Sequence, residues 1–410
     1  MTPEDGGTGT VDFVRFMRFR LGKRRLLVGA ALAGALALGI FQLGTVFPES
    51  VEALYAGHVY PVVVGAFAWI SGLVPFSLAE LMTGAAALFV LVRLGLRLVR
   101  LVRRPARTEA ADGAAPGPGR LRQLAHLGLL VAASAGALYA IFVLVWGMHY
   151  ARHRLEPQLG LTTQSIESRE VARLAERVAA ETTRWHRLAG LSVHQVSRSP
   201  LGYRELSAAL DDAFVRLGLP GDPGPGATAP VKPAALSGLM SRLGVSGIFV
   251  PFTGEPTVNT GPPDVAVVFT AAHEKAHQRG ITHEGEASFA AYLALSRVHG
   301  HPYLSYAGSF FAARHLLAAA RRADEEDQAR AWGALGPGPR LDLDTLNEFW
   351  AQYRGMIRGA ARRVNDSYLR TMRIPDGAKS YGSVVRMLVA ELRRRPAPAP
   401  PGVSTDGQED

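Results

Sequence analysis

The stretch AAHEKAHQRGITHEGEASF, residues 271–289, decides how the C-terminal half of this chain folds. It contains His273 and His277 four residues apart, a spacing that places both rings on one face of a helix. Two imidazoles so placed can bind one metal ion, and Glu274 can accept a proton from a water that such an ion activates. The stretch therefore predicts a zinc site on a helix. The competing interpretation is an ordinary surface helix with exposed histidines.

A third ligand has to come from the sequence after this helix, because a catalytic zinc normally has three protein ligands and one open position. Gly280 is placed to end the helix and to let the chain turn back. A second helix then begins near His283, and its first turn carries Glu284 and Glu286. Either carboxylate can complete a set of two histidines and one glutamate, so the pattern alone leaves the two open.

The composition restricts the chain to a few classes of protein. Its 410 residues are 48% hydrophobic, which is more than a soluble domain usually needs and predicts that part of the chain lies in a lipid bilayer. The absence of cysteine excludes disulfides, thiolate nucleophiles and Cys-ligated zinc. The formal charge of +10 does not predict nucleic-acid binding, because many of the basic residues flank apolar stretches.

Three apolar stretches are each long enough to cross a hydrocarbon core of about 30 Å. They cover about 26–47, 77–99 and 127–147. The intervening segment 48–76 is also apolar, but prolines and glycines interrupt it, and its Tyr and Trp side chains favour the membrane–water boundary. We therefore predict three transmembrane helices, with an interfacial segment between the first and the second.

Basic residues predict the orientation by the positive-inside rule. They are concentrated in the N-terminal segment 1–25 and around the connection 100–126, whereas the segment between the first two spans has no Lys or Arg. Both basic segments are therefore expected in the cytoplasm. Three crossings then place residues 148–395 on the extracytoplasmic side of the cell membrane. The Pro-rich and then acidic tail 396–410 is expected to be disordered.

Residues 148–395 have the pattern of a soluble, mainly helical domain. The short run Gly247–Phe252 is β-branched and aromatic, which is typical of a strand. The chain is therefore predicted to be mainly α, with three transmembrane helices followed by an α-rich domain. Helical periodicity covers about 167–188, 204–217, 265–279, 283–298, 304–323, 343–364 and 380–394.

The motif and the carboxylate-rich turn after it resemble the zincin metallopeptidases, and within them the gluzincins, whose third zinc ligand is a glutamate on a second helix. The resemblance implies a zincin-like α+β domain that holds Zn²⁺ on the histidine pair and uses Glu274 as the catalytic base. In gluzincins the third ligand commonly lies four residues before a supporting Asp or Asn. Glu284 lies four residues before Ser288, which makes Glu284 the first choice and Glu286 the reserve. Serine departs from the more usual Asp or Asn at that position.

The same resemblance implies residues that contact a substrate. In zincins an edge strand beside the active-site helix binds an extended peptide through main-chain hydrogen bonds. Tyrosine side chains often stabilise the oxyanion in such sites. The candidates for the strand are Gly247, Ile248, Phe249 and Val250, with Asn259 either orienting the site or shaping a turn. The candidate tyrosines are Tyr303, Tyr306, Tyr368 and Tyr381.

A closer resemblance extends over nearly the whole chain. It is to an uncharacterised family of bacterial multi-pass membrane proteins, a domain of unknown function, in which membrane helices precede a zincin-like domain. This resemblance implies the architecture and no substrate. The matching phrases are GIFVPFTGEPTVN at 247–259, HEKAHQRG at 273–280 and EGEASFAAYL at 284–293, with weaker ones at 364–369 and 376–382.

Two functions follow as alternatives. The first is a membrane-anchored zinc metallohydrolase, a peptidase that cuts a peptide, a protein or a cell-envelope component with a metal-activated water. The second is a non-catalytic zincin-fold module for binding or assembly in the membrane. A catalytic site requires Glu274, whereas a structural metal site does not. An intramembrane protease is not favoured, because Lys275, Gln278 and Arg279 accompany the motif.

Overall fold

The computed structural model of the chain describes residues 8–102, 118–161, 165–355, 358–361, 363–364, 367 and 382–395. Within them the chain is mainly helical with a few short strands, as the sequence predicts. The tail 396–410 and the middle of the connection 100–126 lie outside the described residues. The described residues form two compact units. The first falls within Met1–Val63 and Leu81–Arg152, and the second within Val64–Glu80 and His153–Asp410.

The first unit consists of apolar helices, and the large side chains on them are mostly exposed, as expected for side chains that face lipid. The helices are α1 (Thr8–Val46), α2 (Pro48–Gly72, which continues into the second unit), α3 (Leu78–Val102) and α4 (Pro118–Val145). By length and composition, four stretches could cross a bilayer: Arg25–Val46, Pro48–Gly72, Leu78–Leu96 and Leu127–Val145. These helices indicate that the protein is associated with a membrane.

The segment 48–76, which we predicted to be interfacial, differs from that expectation in its local structure. It is helical over Pro48–Gly72 and long and apolar enough to count as a fourth candidate span. Pro61 does not interrupt the helix, because it follows a π-helical stretch, Val51–Val59, in which the regular hydrogen-bond pattern is already displaced. Of the predicted interruptions, Pro61 therefore does not break the helix, whereas Gly72 ends it and Pro75 lies in the turn that follows.

Helices α1 and α4 pack closely and run in the same direction. Gly34 of α1 faces Gly136 of α4, where a Cβ on either glycine would collide with the backbone of the other helix. Later in both elements, a Cβ on Gly44 would lie 2.6 Å from Cε of Met148, just beyond the end of α4. Small residues permit such close approach between membrane helices. Because the later residues of both helices lie together, the pair is parallel.

The second unit contains helices around one small sheet. The sheet has the order β1-β3-β2, with β1 parallel to β3 and β2 antiparallel to it, so β2 is an edge strand of this described sheet. The helices are α5 (Leu155–Gln158), α6 (Ser168–Leu188), α7 (Tyr203–Leu217), α8 (Ser237–Leu243), α9 (Asp264–Gln278), α10 (Glu284–Ser296), α11 (Pro302–Ala320), α12 (Glu325–Gly333), α13 (Pro337–Ala351) and α14 (Gly382–Arg394). The strands are β1 (Lys232–Pro233), β2 (Gly247–Val250) and β3 (Glu255–Val258).

Five of these elements were not predicted from the sequence, namely α5, α8, α12, β1 and β3, and two of them show why. Strand β3 contains Glu255 and Pro256, residue types that are rare in strands, and its pairing with β2 is what stabilises it. Helix α12 is short, and it is capped by Asp324, whose carboxylate accepts a hydrogen bond from the N–H of Asp327 at 2.9 Å. Strand β3 therefore forms through tertiary pairing and helix α12 through a local cap. Hydrophobic periodicity predicts neither element.

Helix α10 lies at the centre of the second unit. Its residues Ala287, Phe289 and Ala290 are completely buried, and the helix is apolar on all sides after its first turn. Helices α9 and α11 share the same hydrophobic core. This burial fixes the position of the first turn of α10, which carries the predicted carboxylate ligands.

A buried ion pair binds the turn between α2 and α3 to the sheet. Lys232 Nζ lies 2.7 Å from Glu255 and also donates to the carbonyls of Ser71 and Phe76 at 2.6 and 2.9 Å. Glu255 in turn accepts the first two N–H groups of α3 at 3.1 and 2.9 Å. Charged groups so buried are tolerated because every one of these polar atoms is paired. The turn after α2 consequently belongs to the second unit.

Candidate metal centre

The hairpin of α9 and α10 brings three of the predicted ligands together. Gly280 adopts a left-handed conformation with φ of 82°, which ends α9 and turns the chain toward α10. The carboxylate of Glu284 then lies 3.2 Å from Nε2 of His273 and 3.7 Å from Nε2 of His277. The two Nε2 atoms are themselves 3.1 Å apart. One histidine–histidine–glutamate cluster therefore forms where the sequence predicted it.

Each histidine is oriented by a hydrogen bond at its other ring nitrogen. Nδ1 of His273 lies 3.1 Å from the hydroxyl of Ser288, and Nδ1 of His277 lies 2.7 Å from the carbonyl oxygen of Ile281. A carbonyl can only accept, so Nδ1 of His277 carries a proton, and Nε2 is the ring nitrogen that faces the other two side chains. Ser288 can accept from His273 in the same way. Serine thus occupies the supporting position for which an Asp or Asn is more usual.

The cluster fits a zinc ion by its geometry and its donor types. Ligand atoms about 2.0–2.1 Å from a tetrahedral zinc are roughly 3.3–3.4 Å from one another. The three separations of 3.1, 3.2 and 3.7 Å bracket that value. The three side chains are 12 to 18% exposed, so they are largely shielded and still reachable from solvent. His273, His277 and Glu284 could therefore hold one metal ion and leave a fourth position open.

The protonation of the cluster also favours a cation at its centre. Burial alone would lower the pKa of His277, but the adjacent Glu284 and Glu274 outweigh burial and raise that pKa to about 9. Burial alone would raise the pKa of Glu284, but its hydrogen bonds to both histidines hold the pKa well below its usual range. The ionised Glu284 is thus paired with the positively charged His277, and a metal ion held here would replace the proton of that imidazolium.

Glu274 is next to the cluster without being part of it. Its side chain is buried, and burial raises its pKa above the usual value for glutamate. It accepts a hydrogen bond from the N–H of Phe249 in β2. Gly247 of the same strand passes so close that a Cβ there would lie 2.7 Å from Oε1 of Glu274. The edge strand predicted from the sequence therefore lies alongside the predicted base.

The remaining candidates lie elsewhere in the second unit. Glu286, the reserve ligand, is 2% exposed and forms an ion pair with Arg154 at 2.6 Å, so it is not brought to the histidine pair. The amide of Asn259 donates to Ser241 and to the carbonyl of Val245 at 2.9 and 3.0 Å. Asn259 therefore shapes the turn after β3, which is one of its two predicted roles.

The candidate tyrosines do not supply an oxyanion donor from the described residues. Tyr306 donates to Asp342 at 2.6 Å, and the hydroxyl of Tyr303 lies 3.4 Å from that of Ser197. Both rings are buried in the core of the second unit. Tyr368 and Tyr381 lie outside the described residues.

A buried charge network holds the opposite side of α9, and sequence reasoning missed it. Lys275 Nζ donates to both oxygens of Asp211 at 2.7 and 2.8 Å, and Arg279 donates to the same carboxylate at 2.7 Å and to Asp222 at 3.2 Å. Gln278 donates to two backbone carbonyls at 2.7 and 3.1 Å. These three polar residues were expected to mark a helix outside the membrane interior; they are buried within the second unit.

Comparison with known proteins places the chain in one family. No curated protein matches the sequence, and no solved structure matches it. The family described as "Protein of unknown function (DUF3810)" matches residues 55–389, which cover most of the chain and include the whole candidate metal centre. The chain therefore belongs to this DUF3810 family.

Proposed function

We propose that this protein is a membrane-anchored, zinc-dependent hydrolase, and specifically a peptidase. The observation that carries the proposal is the arrangement of four side chains. His273, His277 and Glu284 converge on one point, and Glu274 lies beside them as a fourth, separate carboxylate. This is the division of roles that a hydrolytic zinc site requires: three ligands, one open position and one base.

The surrounding elements support a zincin-like arrangement for this unit. The motif lies on α9, the glutamate ligand lies on the next helix, and the edge strand β2 lies against the base. Strand β2 pairs with β3 on one side only within the described sheet, and a peptide added to its other edge by β-augmentation would take over the N–H of Phe249 from Glu274. A peptide bound there would run past Glu274, which supports an amide as the bond that is cut.

The chain's own residues can perform the proton transfers of amide hydrolysis. A zinc ion held here would lower the pKa of water and polarise the substrate carbonyl. Glu274 would accept the proton of the attacking water and return it to the leaving nitrogen. The raised pKa of Glu274 suits both steps, because its carboxyl is poised between the two protonation states closer to neutral pH than an ordinary glutamate.

The alternative of a non-catalytic module explains Glu274 less well. A structural metal site needs its ligands and the groups that orient them, and both are already supplied by other residues. Glu274 forms no ligand contact and is nevertheless kept buried beside the ligands. Burial of an additional carboxylate is costly, which favours a chemical role for it.

The parallel packing of α1 and α4 supports three crossings rather than four. If α1 runs from the cytoplasm to the outer side, the parallel α4 runs in the same direction. The chain between them then crosses the membrane an odd number of times. Helix α3 supplies that crossing, and α2 then remains on the extracytoplasmic side. The binding of Ser71 and Phe76 to Lys232 of the second unit supports this position for the end of α2. The basic segments 1–25 and 100–126 are then cytoplasmic and the second unit is extracytoplasmic.

Metal analysis joined to a cleavage assay tests the proposal. The full chain, purified in detergent and incubated with Zn²⁺, should retain about one zinc per chain in wild type and Glu274→Gln, and lose it in Glu284→Ala. Glu286→Gln, a neighbouring carboxylate outside the cluster, should keep the metal. Wild type should cut peptides of a protein digest, as seen by mass spectrometry, and Glu274→Gln should not. Zinc retained without any cleavage would favour the non-catalytic module, and no zinc in wild type would overturn both.

A further inference from the structure

A large cavity adjoins the metal centre within the second unit. Its volume is about 1030 Å³, which is enough for several amino-acid side chains. His273 and Ser288 are among its lining residues, so it opens onto the cluster. Further lining comes from α9, from α11 and from residues within 346–355 and 358–361. A substrate bound at the metal would therefore have this cavity beside its reacting bond.

Arginine side chains line the cavity. Arg314, Arg354 and Arg358 line it, and none of the described lining residues is Asp or Glu. The side chain of Arg314 is exposed to the cavity, and its guanidinium has no hydrogen bond or ion pair with any residue that the structure describes. An anion in the cavity would supply the partner that this guanidinium lacks among the described residues.

Apolar surfaces alternate with these charges. The rings of Phe269 and Phe311 stack at 3.5 Å and form part of the wall. Arg358 lies over the ring of Trp350 at 5.2 Å and donates to its carbonyl at 3.1 Å, which restricts where the guanidinium can point. Such a wall suits a group with an apolar stem and an anionic end.

We propose that this cavity binds a carboxylate carried by the substrate near the bond that is cut, with Arg314 as its principal partner. The proposal rests on the peptidase function proposed above. The planar guanidinium matches the two oxygens of a carboxylate. In a peptide that carboxylate is either an acidic side chain or the free C-terminus, and both present the same chemistry to the arginine.

Binding of three matched probes tests the preference without requiring turnover. The probes are fluorescein-labelled hexapeptides: one has a central Glu and an amidated C-terminus, one has Gln there and an amidated C-terminus, and one has Gln and a free C-terminal carboxylate. Each is titrated by fluorescence anisotropy into the zinc-loaded Glu274→Gln chain in detergent. We expect one acidic probe to bind about tenfold tighter or more than the neutral probe. Which acidic probe does so identifies the source of the carboxylate.

Variants of Arg314 connect the preference to the cavity. Arg314→Gln should remove the preference while binding the neutral probe as before, which also shows that the site is intact. Arg314→Lys should keep part of the preference for the acidic probe. The control variant Arg187→Gln, at an exposed arginine of α6, should keep the whole preference. Equal affinity for the three probes, or a preference that survives Arg314→Gln, would overturn the proposal.

The proposed peptidase function can fail separately from this inference. If wild type cuts peptides but the probes bind with equal affinity, the peptidase function is supported and the anion-binding role of the cavity is contradicted. If the preference for an acidic probe depends on Arg314 but the chain cuts no peptide, the cavity is supported as a binding site and the peptidase function is contradicted.

Discussion

The hydroxyl of Ser288 on α10 lies 3.1 Å from Nδ1 of His273 on α9, and this contact orients the ring so that its Nε2 faces Glu284. Groups that orient a ligand histidine typically contribute about 10- to 100-fold to metal affinity. Ser288→Ala should therefore weaken zinc binding by about that factor, measured by competition with a chromophoric chelator, whereas Ser288→Asn should restore much of it. Ser309→Ala removes a buried serine that bonds only within its own helix and should leave zinc affinity unchanged. Equal zinc affinity of Ser288→Ala and wild type would contradict this role.

A second prediction concerns Gly247, where β2 approaches the base. A Cβ at this position would lie 2.5 Å from Cγ2 of Thr270 and 2.7 Å from Oε1 of Glu274, so an alanine must displace the strand or both of these side chains on α9. Displacements of about 1 Å at a reacting group can reduce rates by about 100-fold. Gly247→Ala should lower kcat of peptide cleavage by about that factor while retaining zinc. Gly238→Ala, at a glycine with open space around it, should behave as wild type. If Gly247→Ala loses zinc together with activity, the strand supports the cluster rather than the base.

The buried network behind α9 predicts a specific order of stabilities. Asp211→Asn leaves Lys275 and Arg279 buried as two neighbouring cations, whereas Lys275→Met leaves the carboxylate still paired with Arg279. Removing one partner of a buried ion pair typically costs about 3–5 kcal/mol. Asp211→Asn should therefore lower the free energy of unfolding more than Lys275→Met does, as measured by denaturation of the second unit in the full chain.

The neighbouring Asp212 provides the control for this network. Its side chain is 70% exposed and pairs with Arg216 along the same helix. Exposed pairs of this kind contribute about 0–1 kcal/mol, so Asp212→Asn should be close to wild type. A similar loss of stability in Asp211→Asn and Asp212→Asn would show that the network does not hold α9.

The proposed cavity predicts a defined pH dependence of probe binding. His315 lines the cavity, and burial together with the charge of Arg314 lowers its pKa to about 4. Because its folded pKa lies below the usual value, His315 is neutral above about pH 5 and the positive charge comes from the arginines. The preference for an acidic probe should therefore be constant between about pH 5.5 and 8. A preference that falls as pH rises through about 6.5 would assign the charge to His315 and contradict the role of Arg314.

The sequence predicted the parts of the site that depend on local spacing. The four-residue interval of His273 and His277, the glycine after α9 and the carboxylates of the next turn are all short-range patterns, and the structure brings the first-choice ligand Glu284 to the pair. The choice between Glu284 and Glu286 was not decided by the residues themselves, since both lie in one helical turn. Packing decides between the two glutamates, because Glu286 forms an ion pair with Arg154.

Features that depend on distant partners could not be predicted in this way. In the sequence, Lys275 and Arg279 indicated only that the motif lies outside a membrane span, and it is their pairing with Asp211, far earlier in the chain, that makes their burial tolerable. The strand β3 forms because β2 and Lys232 pair with it. The arginine-lined cavity likewise combines α9, α11 and the segment after α13, which no local pattern connects. Hydrophobic periodicity predicts the secondary structure of a segment, but it does not predict which other segment it packs against.

The final prediction tests the orientation, and the chain is suited to it because it contains no cysteine. Single cysteines are introduced by Arg187→Cys, at an exposed position of α6, and by Thr108→Cys in the connection 100–126. With three crossings, a membrane-impermeant maleimide should label Arg187→Cys in intact cells and Thr108→Cys only after the membrane is permeabilised. If α2 crosses the membrane as well, α4 must run opposite to α1 and the labelling pattern reverses. That reversal would contradict the parallel packing of Gly34 against Gly136 and of Gly44 near Met148, and would place the metal centre in the cytoplasm.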